Sequence, residues 1–223
     1  MQKRKMKKVI SYSLYGSNDK YVLGLQHNIN LLESMFPGWT IKVYYDDSVP
    51  EDKLMFDNPN VEYSKVVNDS NYMFWRFYTW NDTDVDVFIS RDLDDRLNKP
   101  DFEMTQTWEE SDCGFTVARC KHVHGVPILG GLWGCKPKMY DVDIKLLIDQ
   151  FKETHTTSNH NDDQIFLSQC VWPIVQNTTM SFGLQFNFNC HEHIELPEND
   201  PLLLQPMLGG VYEAHIKNTQ GDV

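Results

Sequence analysis

Apolar positions along the chain follow two rhythms, one of strands and one of helices. Residues 9–14, with Val9, Ile10, Tyr12 and Leu14, read as a first strand, followed by a polar turn over residues 15–19. Residues 21–36 carry Val22, Leu25, Ile29, Leu32 and Met35 close to helical spacing, and Pro37-Gly38 ends that helix. Residues 39–45 alternate as a second strand with Asp46-Asp47 at its carboxyl end. Such a β-α-β opening predicts a parallel pair with a right-handed crossover, so the loop after strand one lies beside the end of strand two. A short third strand is expected near Val61. Residues 72–80, YMFWRFYTW, form the most aromatic segment, and Arg76 is its one charge. As an α-helix it would group Tyr72, Trp75, Arg76 and Thr79 on one face and Met73, Phe74 and Phe77 on another.

The next apolar run, Val85, Val87, Phe88 and Ile89, is interrupted by Asp86 and has the length of a buried strand in a parallel sheet. Further on, the pattern predicts a helix over residues 98–110, a strand over 113–118 and a glycine-bearing strand or loop over 128–134. Residues 141–152 place Ile144, Leu147, Ile148 and Phe151 on one helical face. A polar loop over residues 153–161 follows, and a helix opens at Asn161-Asp162-Asp163-Gln164 and runs to Pro173. Phe182, Leu184, Phe186 and Phe188 alternate as a last strand, and residues 202–223 show no period. Alternating strands and helices over 223 residues predict one α/β domain with a mainly parallel central sheet flanked by helices. Its extent is taken as residues 1–215, with 216–223 a linker toward a further domain of a longer protein.

Charge narrows the classes of partner. A net charge of −12 argues against a nucleic-acid or anionic-membrane surface. The basic cluster Lys3-Arg4-Lys5-Lys7-Lys8 reads as a solvated lead-in to the first strand. Five cysteines with no CxxC pair suit reduced thiols in a cytoplasmic setting. No run approaches the length of a membrane span, and the three glycosylation-type triplets read as chance.

The chemistry concentrates where the fourth strand ends. Ser90-Arg91 is followed by Asp92-Leu93-Asp94-Asp95-Arg96. In open α/β sheets ligands bind just beyond the carboxyl ends of such strands. Carboxylates gathered there suit a hard divalent cation that itself carries phosphate oxygens. A plain acidic turn is the competing reading. Arg76, alone among aromatic residues, is a candidate for a phosphate or base contact, and a surface arginine lying over a core helix is its alternative. Tyr45 and Asp46 are candidates for a base or ribose contact. His122 and His124 face one way on a strand, and ordinary hydrogen-bonding roles are favoured for them.

Three motifs in order give the chain a resemblance. Ser90-Arg91-Asp92-Leu93-Asp94-Asp95-Arg96 is followed by Ile128-Leu129-Gly130-Gly131-Leu132-Trp133-Gly134, and then by Asp163-Gln164-Ile165-Phe166-Leu167 with Trp172-Pro173. Together they resemble metal-dependent glycosyltransferases of the GT-A fold. Within these, the chain is similar to the N-terminal glycosyltransferase domain of multidomain proteins of large chlorella-infecting viruses, associated with making the capsid glycan. The resemblance covers residues 72–173 best, and a further Pro- and Arg-containing motif near the C-terminus has no counterpart here.

The resemblance implies transfer of a hexose or deoxyhexose from a UDP-sugar, of the UDP-glucose or UDP-rhamnose class, to a glycan or glycoprotein acceptor in the cytoplasm of an infected cell. It implies Mn²⁺ or Mg²⁺ held by Asp92 and Asp94, with one of His191, His193 or His215 completing the shell. Leu14, Tyr15, Gly16, Ser17, Asp46, Arg76, Arg91 and Asp92 would bind the donor nucleotide. Gly130, Gly131, Trp133, Asp163 and Gln164 would line the sugar and acceptor site. Asp163 would act as general base in an inverting enzyme, or steady a cationic sugar in a retaining one. An idle nucleotide-sugar binding module is the alternative, and a nucleotidyltransferase or an aspartyl-phosphate phosphatase is further away.

Overall fold

The computed structural model describes residues 4–54, 56–119, 125–155, 161–183 and 188–196. His122, His124, His215 and the expected linker therefore lie outside the described residues. Eight strands form one sheet: β1 (Lys8–Leu14), β2 (Thr40–Tyr45), β3 (Val61–Lys65), β4 (Val87–Ser90), β5 (Phe115–Arg119), β6 (Trp133–Cys135), β7 (Thr179–Gly183) and β8 (Glu192–Glu195). Their order across the sheet is β3-β2-β1-β4-β6-β5-β7-β8. Every neighbouring pair is parallel except those of β6, which runs antiparallel to both β4 and β5. This is the mainly parallel α/β sheet that the pattern predicts. Among the described residues the α-helices are α1 (Asp19–Met35), α2 (Lys99–Glu109), α3 (Ile144–Thr154), α4 (Asp162–Phe166) and α5 (Trp172–Val175).

The topology creates one crevice. The chain lays β2 and then β3 outward from β1, then returns to place β4 on the other side of β1. Loops leaving β1 and β4 diverge to opposite sides there, and a ligand-sized gap opens between them. Period-two alternation explains why both faces are covered. Ile10, Tyr12 and Leu14 of β1 join a core with Val22, Leu25 and Trp108 from α1 and α2. Val9 belongs to the opposite core with Phe74, Trp75, Phe77, Ile148 and Phe166. Ser11 and Ser13 share Val9's parity and meet the aromatic segment instead of an apolar partner.

That segment is helical but not an α-helix. Tyr72–Asn81 is a ten-residue 3-10 helix, an unusual length for that form. At three residues per turn, Met73, Arg76 and Thr79 fall in one row, which corrects the grouping expected for an α-helix. The Ser11 hydroxyl donates to the Arg76 carbonyl at 2.6 Å and lies 2.9 Å from the Thr79 hydroxyl, while the Arg76 amide donates to the Ser13 hydroxyl at 2.9 Å. Strand β1 thus fixes which way this helix turns Arg76.

Two further elements depart from expectation. The helix opening at Asp162 does not stop at Pro173: a π-helical stretch, Leu167–Val171, leads into α5. Widening to i→i+5 bonding is a known way for a helix to absorb an irregularity, and here the Trp172 amide donates to the Leu167 carbonyl directly before Pro173, which has no amide to give. The strand expected from Phe182 onward sits earlier, at Thr179–Gly183, and residues 184–187 lie outside the described residues. Cys113, Cys135, Cys170 and Cys190 are free thiols. Among the described residues no helix is long and apolar enough to cross a membrane.

Candidate active site

A cleft of about 320 Å³ lies at the switch point between β1 and β4. It is lined by Ser13, Tyr15, Lys20, Tyr21, Met73, Arg76, Asp92, Leu93, Asp94, Gly130, Asp163 and Gln164. Residues distant in sequence meet here because five separate chain segments reach this edge of the sheet. Three carboxylates, Asp92, Asp94 and Asp163, face two cations, Arg76 and Lys20.

Arg76 is the hub. Its Nη1 donates to Asp92 at 2.6 Å and its Nη2 to Asp163 at 2.8 Å. The guanidinium is nearly buried, with a side-chain exposure of 10%. Burial alone would lower its pKa, but the charges of Asp92 and Asp163 outweigh that and hold it above the usual arginine value. Its Nε is buried with no hydrogen-bond partner among the described residues. On the far side, Asp163 stands in the first turn of α4, and one of its oxygens accepts from the Gln164 amide at 2.8 Å. Asp94 is gripped by Lys20 Nζ at 2.7 Å. Lys20 is in the first turn of α1, whose N-cap Asn18 accepts from the Lys20 amide at 3.0 Å.

The glycine pair is required by this cluster. A Cβ on Gly131 would overlap the Asp92 carboxylate, and one on Gly130 would overlap Asp163 and Arg76. Gly130 is held in place from below, since its carbonyl accepts from the Ser90 hydroxyl at 2.8 Å and the Trp133 indole at 3.0 Å. The turn carrying Asp92 and Asp94 is pinned from α1. Gly24 lets the helix approach so closely that a Cβ would run into the Leu93 carbonyl. Asn28, one turn further on the same face, donates to the Asp95 carbonyl at 2.8 Å and accepts from the Leu97 amide at 3.1 Å.

Several expected site residues take other places. Arg91 turns away from the cleft into the opposite side of the loop. Its Nε and Nη2 make a two-pronged pair with Asp101 at 2.9 and 2.7 Å, and Nη1 donates to the Ser90 and Trp133 carbonyls. With 2% of its side chain exposed, it is part of the frame and is not placed to touch a donor phosphate. Beside it, burial and the nearby Asp101 charge push the Asp95 carboxyl well above the usual range. Trp133 is likewise buried, stacked on Phe115 at 5.2 Å between ring centres, so it supports Gly130 and does not line the cleft.

Leu14 is buried in the core, and Gly16, Ser17 and Asp46 lie off the cleft wall. Ser48 nevertheless bonds both the Gly16 amide, at 2.6 Å, and Asp46, so the loops after β1 and β2 do lie side by side. His193 sits on the edge strand β8 with Nδ1 3.3 Å from the Ser181 hydroxyl. Four strand positions separate β8 from β4, roughly 19 Å at the usual spacing, so His193 is not brought to Asp92 and Asp94. Conversely, Ser13, Lys20, Tyr21, Met73, Gly24 and Asn28 serve the site without having been singled out. Asn28 carried a weak signal, since a polar residue within an otherwise apolar helical face deserves a partner, whereas Lys20 falls ahead of the expected helix.

Among the described residues no three metal-ligating side chains converge. Asp92 and Asp94 nevertheless suit Mn²⁺ or Mg²⁺, which commonly take one or two protein carboxylates and complete their shell with phosphate oxygens and water. Both carboxylates face the cleft, and both are held by cations that stand where positive charge is wanted.

No protein-family model matches the chain, and no curated protein matches it in sequence. Solved structures do match in shape. The glycosyltransferase GlyE of Streptococcus pneumoniae TIGR4, in its apo form, aligns over 81% of this chain with a TM-score of 0.57 and 16% identity. This chain spans 46% of GlyE, so it corresponds to about half of that protein. An active-site mutant of LgtC aligns over 90% of this chain and 85% of its own length, with a TM-score of 0.50 and 12% identity. At such identities the likeness establishes the architecture, and the architecture of this chain is the GT-A fold of those glycosyltransferases.

Proposed function

We propose that the chain is a metal-dependent glycosyltransferase that moves a hexose or deoxyhexose from a UDP-sugar to a glycan acceptor. The observation that carries this reading is the bridge Asp92–Arg76–Asp163 across Gly130-Gly131, at the switch point of a GT-A sheet. It joins a carboxylate suited to a metal–diphosphate group with one suited to the reacting sugar, about one guanidinium apart. The motif resemblance further suggests UDP-glucose or UDP-rhamnose as donor and the capsid glycan of a large algal virus as acceptor.

Asp92 and Asp94 would hold Mn²⁺ or Mg²⁺. When bound, that ion supplies positive charge beside the leaving diphosphate. The protein's own groups account for the rest. Arg76 lies where it can bond a diphosphate oxygen, and its fixed fork adds charge stabilisation that strengthens as the leaving group becomes more negative. Tyr15 and Tyr21 at the rim offer ring faces to the nucleoside. Gly130 leaves room for Asp163 and Arg76 to meet against the backbone. Asp163 is held by Arg76 facing the cleft, where it either receives the acceptor proton or steadies positive charge on the sugar.

Thermal unfolding with UDP and Mn²⁺ tests the reading. At about 100 times the dissociation constant, binding should add roughly 2.7 kcal/mol, on the order of 5–10 °C for a domain of this size. Asp94→Ala should abolish that gain. If UDP with Mn²⁺ leaves the melting point of the native protein unmoved, the donor reading fails. Release of UDP from a UDP-sugar then separates an enzyme from a binding module, which would release none.

A further inference from the structure

Lys20 belongs to none of the three motifs, yet its ammonium occupies one side of the metal-binding turn. Its Nζ lies 2.7 Å from Asp94 Oδ2, and the two side chains are 30% and 22% exposed. An ion pair at such a rim contributes little net stability, because water competes for both charges. A divalent cation competes far better for the same carboxylate oxygens, since it carries twice the charge and binds them directly. The contrast with Arg76 is sharp: that side chain is buried and forked onto two carboxylates, while Lys20 is a flexible stem ending in a point charge.

We propose that Lys20 is a displaceable counter-cation for Asp94 that yields to the metal and then turns to the donor's phosphate, coupling the two binding events. The inference rests on the donor and metal reading above. Three carboxylates and two cations line the cleft, so it is short of one positive charge. A divalent ion alone would overshoot this balance, with Lys20 and Arg76 both close by. That excess attracts a diphosphate, whose two negative charges bring the sum back to the single negative charge of the cleft itself. Each ligand therefore improves the site for the other, and Lys20 is the mobile part of that balance. Its root in the first turn of α1, fixed by the Asn18 cap, keeps the ammonium within the cleft in either position.

The test measures Mn²⁺ binding by electron paramagnetic resonance and UDP binding by calorimetry, in the native protein and in Lys20→Met. Without nucleotide, Lys20→Met should bind Mn²⁺ several-fold more tightly, because its competitor for Asp94 is gone. With Mn²⁺ saturating, the same variant should bind UDP about tenfold more weakly, the usual scale for one lost charge-assisted bond. The factor by which UDP tightens Mn²⁺ binding should shrink accordingly. Lys20→Arg should restore part of the UDP affinity. Unchanged Mn²⁺ and UDP affinities in a variant of a protein that binds both would overturn the role of Lys20 alone. Weaker Mn²⁺ binding by Lys20→Met would overturn it too, since a competitor's removal cannot weaken the metal. Failure of the native protein to bind UDP with Mn²⁺ would remove the donor reading itself, and this proposal with it.

Discussion

Two arginine–carboxylate clusters stand back to back around the end of β4, and they are built to opposite standards. Behind the strand, Arg91 uses Nε, Nη1 and Nη2, bonding Asp101 twice and the Ser90 and Trp133 carbonyls once each. In front, Arg76 spends its two terminal nitrogens on Asp92 and Asp163 and leaves Nε buried without a partner among the described residues. Asp101 has 8% of its side chain exposed, while Asp92 has 44%. A closed cluster offers a ligand nothing, whereas a half-satisfied one bordered by water is ready to exchange partners. The chain thus keeps its rigid pair out of reach and its unfinished pair in the cleft.

The largest expected effect comes from opening the closed cluster. Arg91→Met leaves Asp101 buried without its cation and strips two carbonyls of their donor. A loss of roughly 3–5 kcal/mol is expected from breaking a buried pair of this kind. Urea unfolding measures it, and Arg91→Met combined with Asp101→Leu should recover much of the loss. A stable Arg91→Met protein that no longer bound UDP would erase the distinction, making Arg91 a ligand group after all. The front cluster should respond the other way round. Arg76→Lys keeps the charge but cannot bridge Asp92 and Asp163, so stability should fall less than in Arg91→Met. Turnover of the donor should fall by about 10²–10³-fold, the scale for losing one fixed donor aimed at developing charge. Donor turnover and melting point, measured on the same preparation, separate the two responses.

From sequence both arginines are candidates for the donor, Arg76 as the one charge in an aromatic segment and Arg91 between an apolar strand and an acidic turn. Arg91 even lies inside the recognisable motif, which is why it was expected at the donor. What separates them is strand parity and a partner ten residues on: Asp101 lies in the first turn of α2, on the core side of the loop. The sheet, α1 and the amphipathic α3 were legible because burial imposes periods of 2 and 3.6 on apolar residues. The 3-10 form of residues 72–81 was not, since an aromatic run suits either helix and the serine contacts from β1 decide between them. Asp92, Asp94, Asp163 and Gly130 were legible through motifs, where side-chain chemistry and a need for space coincide. Trp133 was misread because a motif marks what must be kept, and a tryptophan can be kept to hold a glycine in place. His193 was misread because no local pattern reports how many strands separate two segments.

The smallest effect tests whether the two clusters are mechanically joined. Asn28 reaches from α1 to the turn that separates them, bonding the Asp95 carbonyl and the Leu97 amide. Asp95 packs toward Arg91 and Asp101, while Asp92 and Asp94 of the same turn face the cleft. Asn28→Ala should cost roughly 1–3 kcal/mol, because a buried acceptor and a buried donor lose their partner together. If the turn is held mainly by this clamp, UDP affinity with Mn²⁺ should also fall a few-fold, since Asp92 and Asp94 lose their fixed spacing. If instead stability falls and affinity does not, the Arg76 and Lys20 pairs alone are enough to set the carboxylates, and the front cluster is independent of the rear one. The clamp favours the first outcome, because Gly24 and Asn28 together fix the backbone on both sides of Asp94, and side-chain pairs at a wet rim cannot do that.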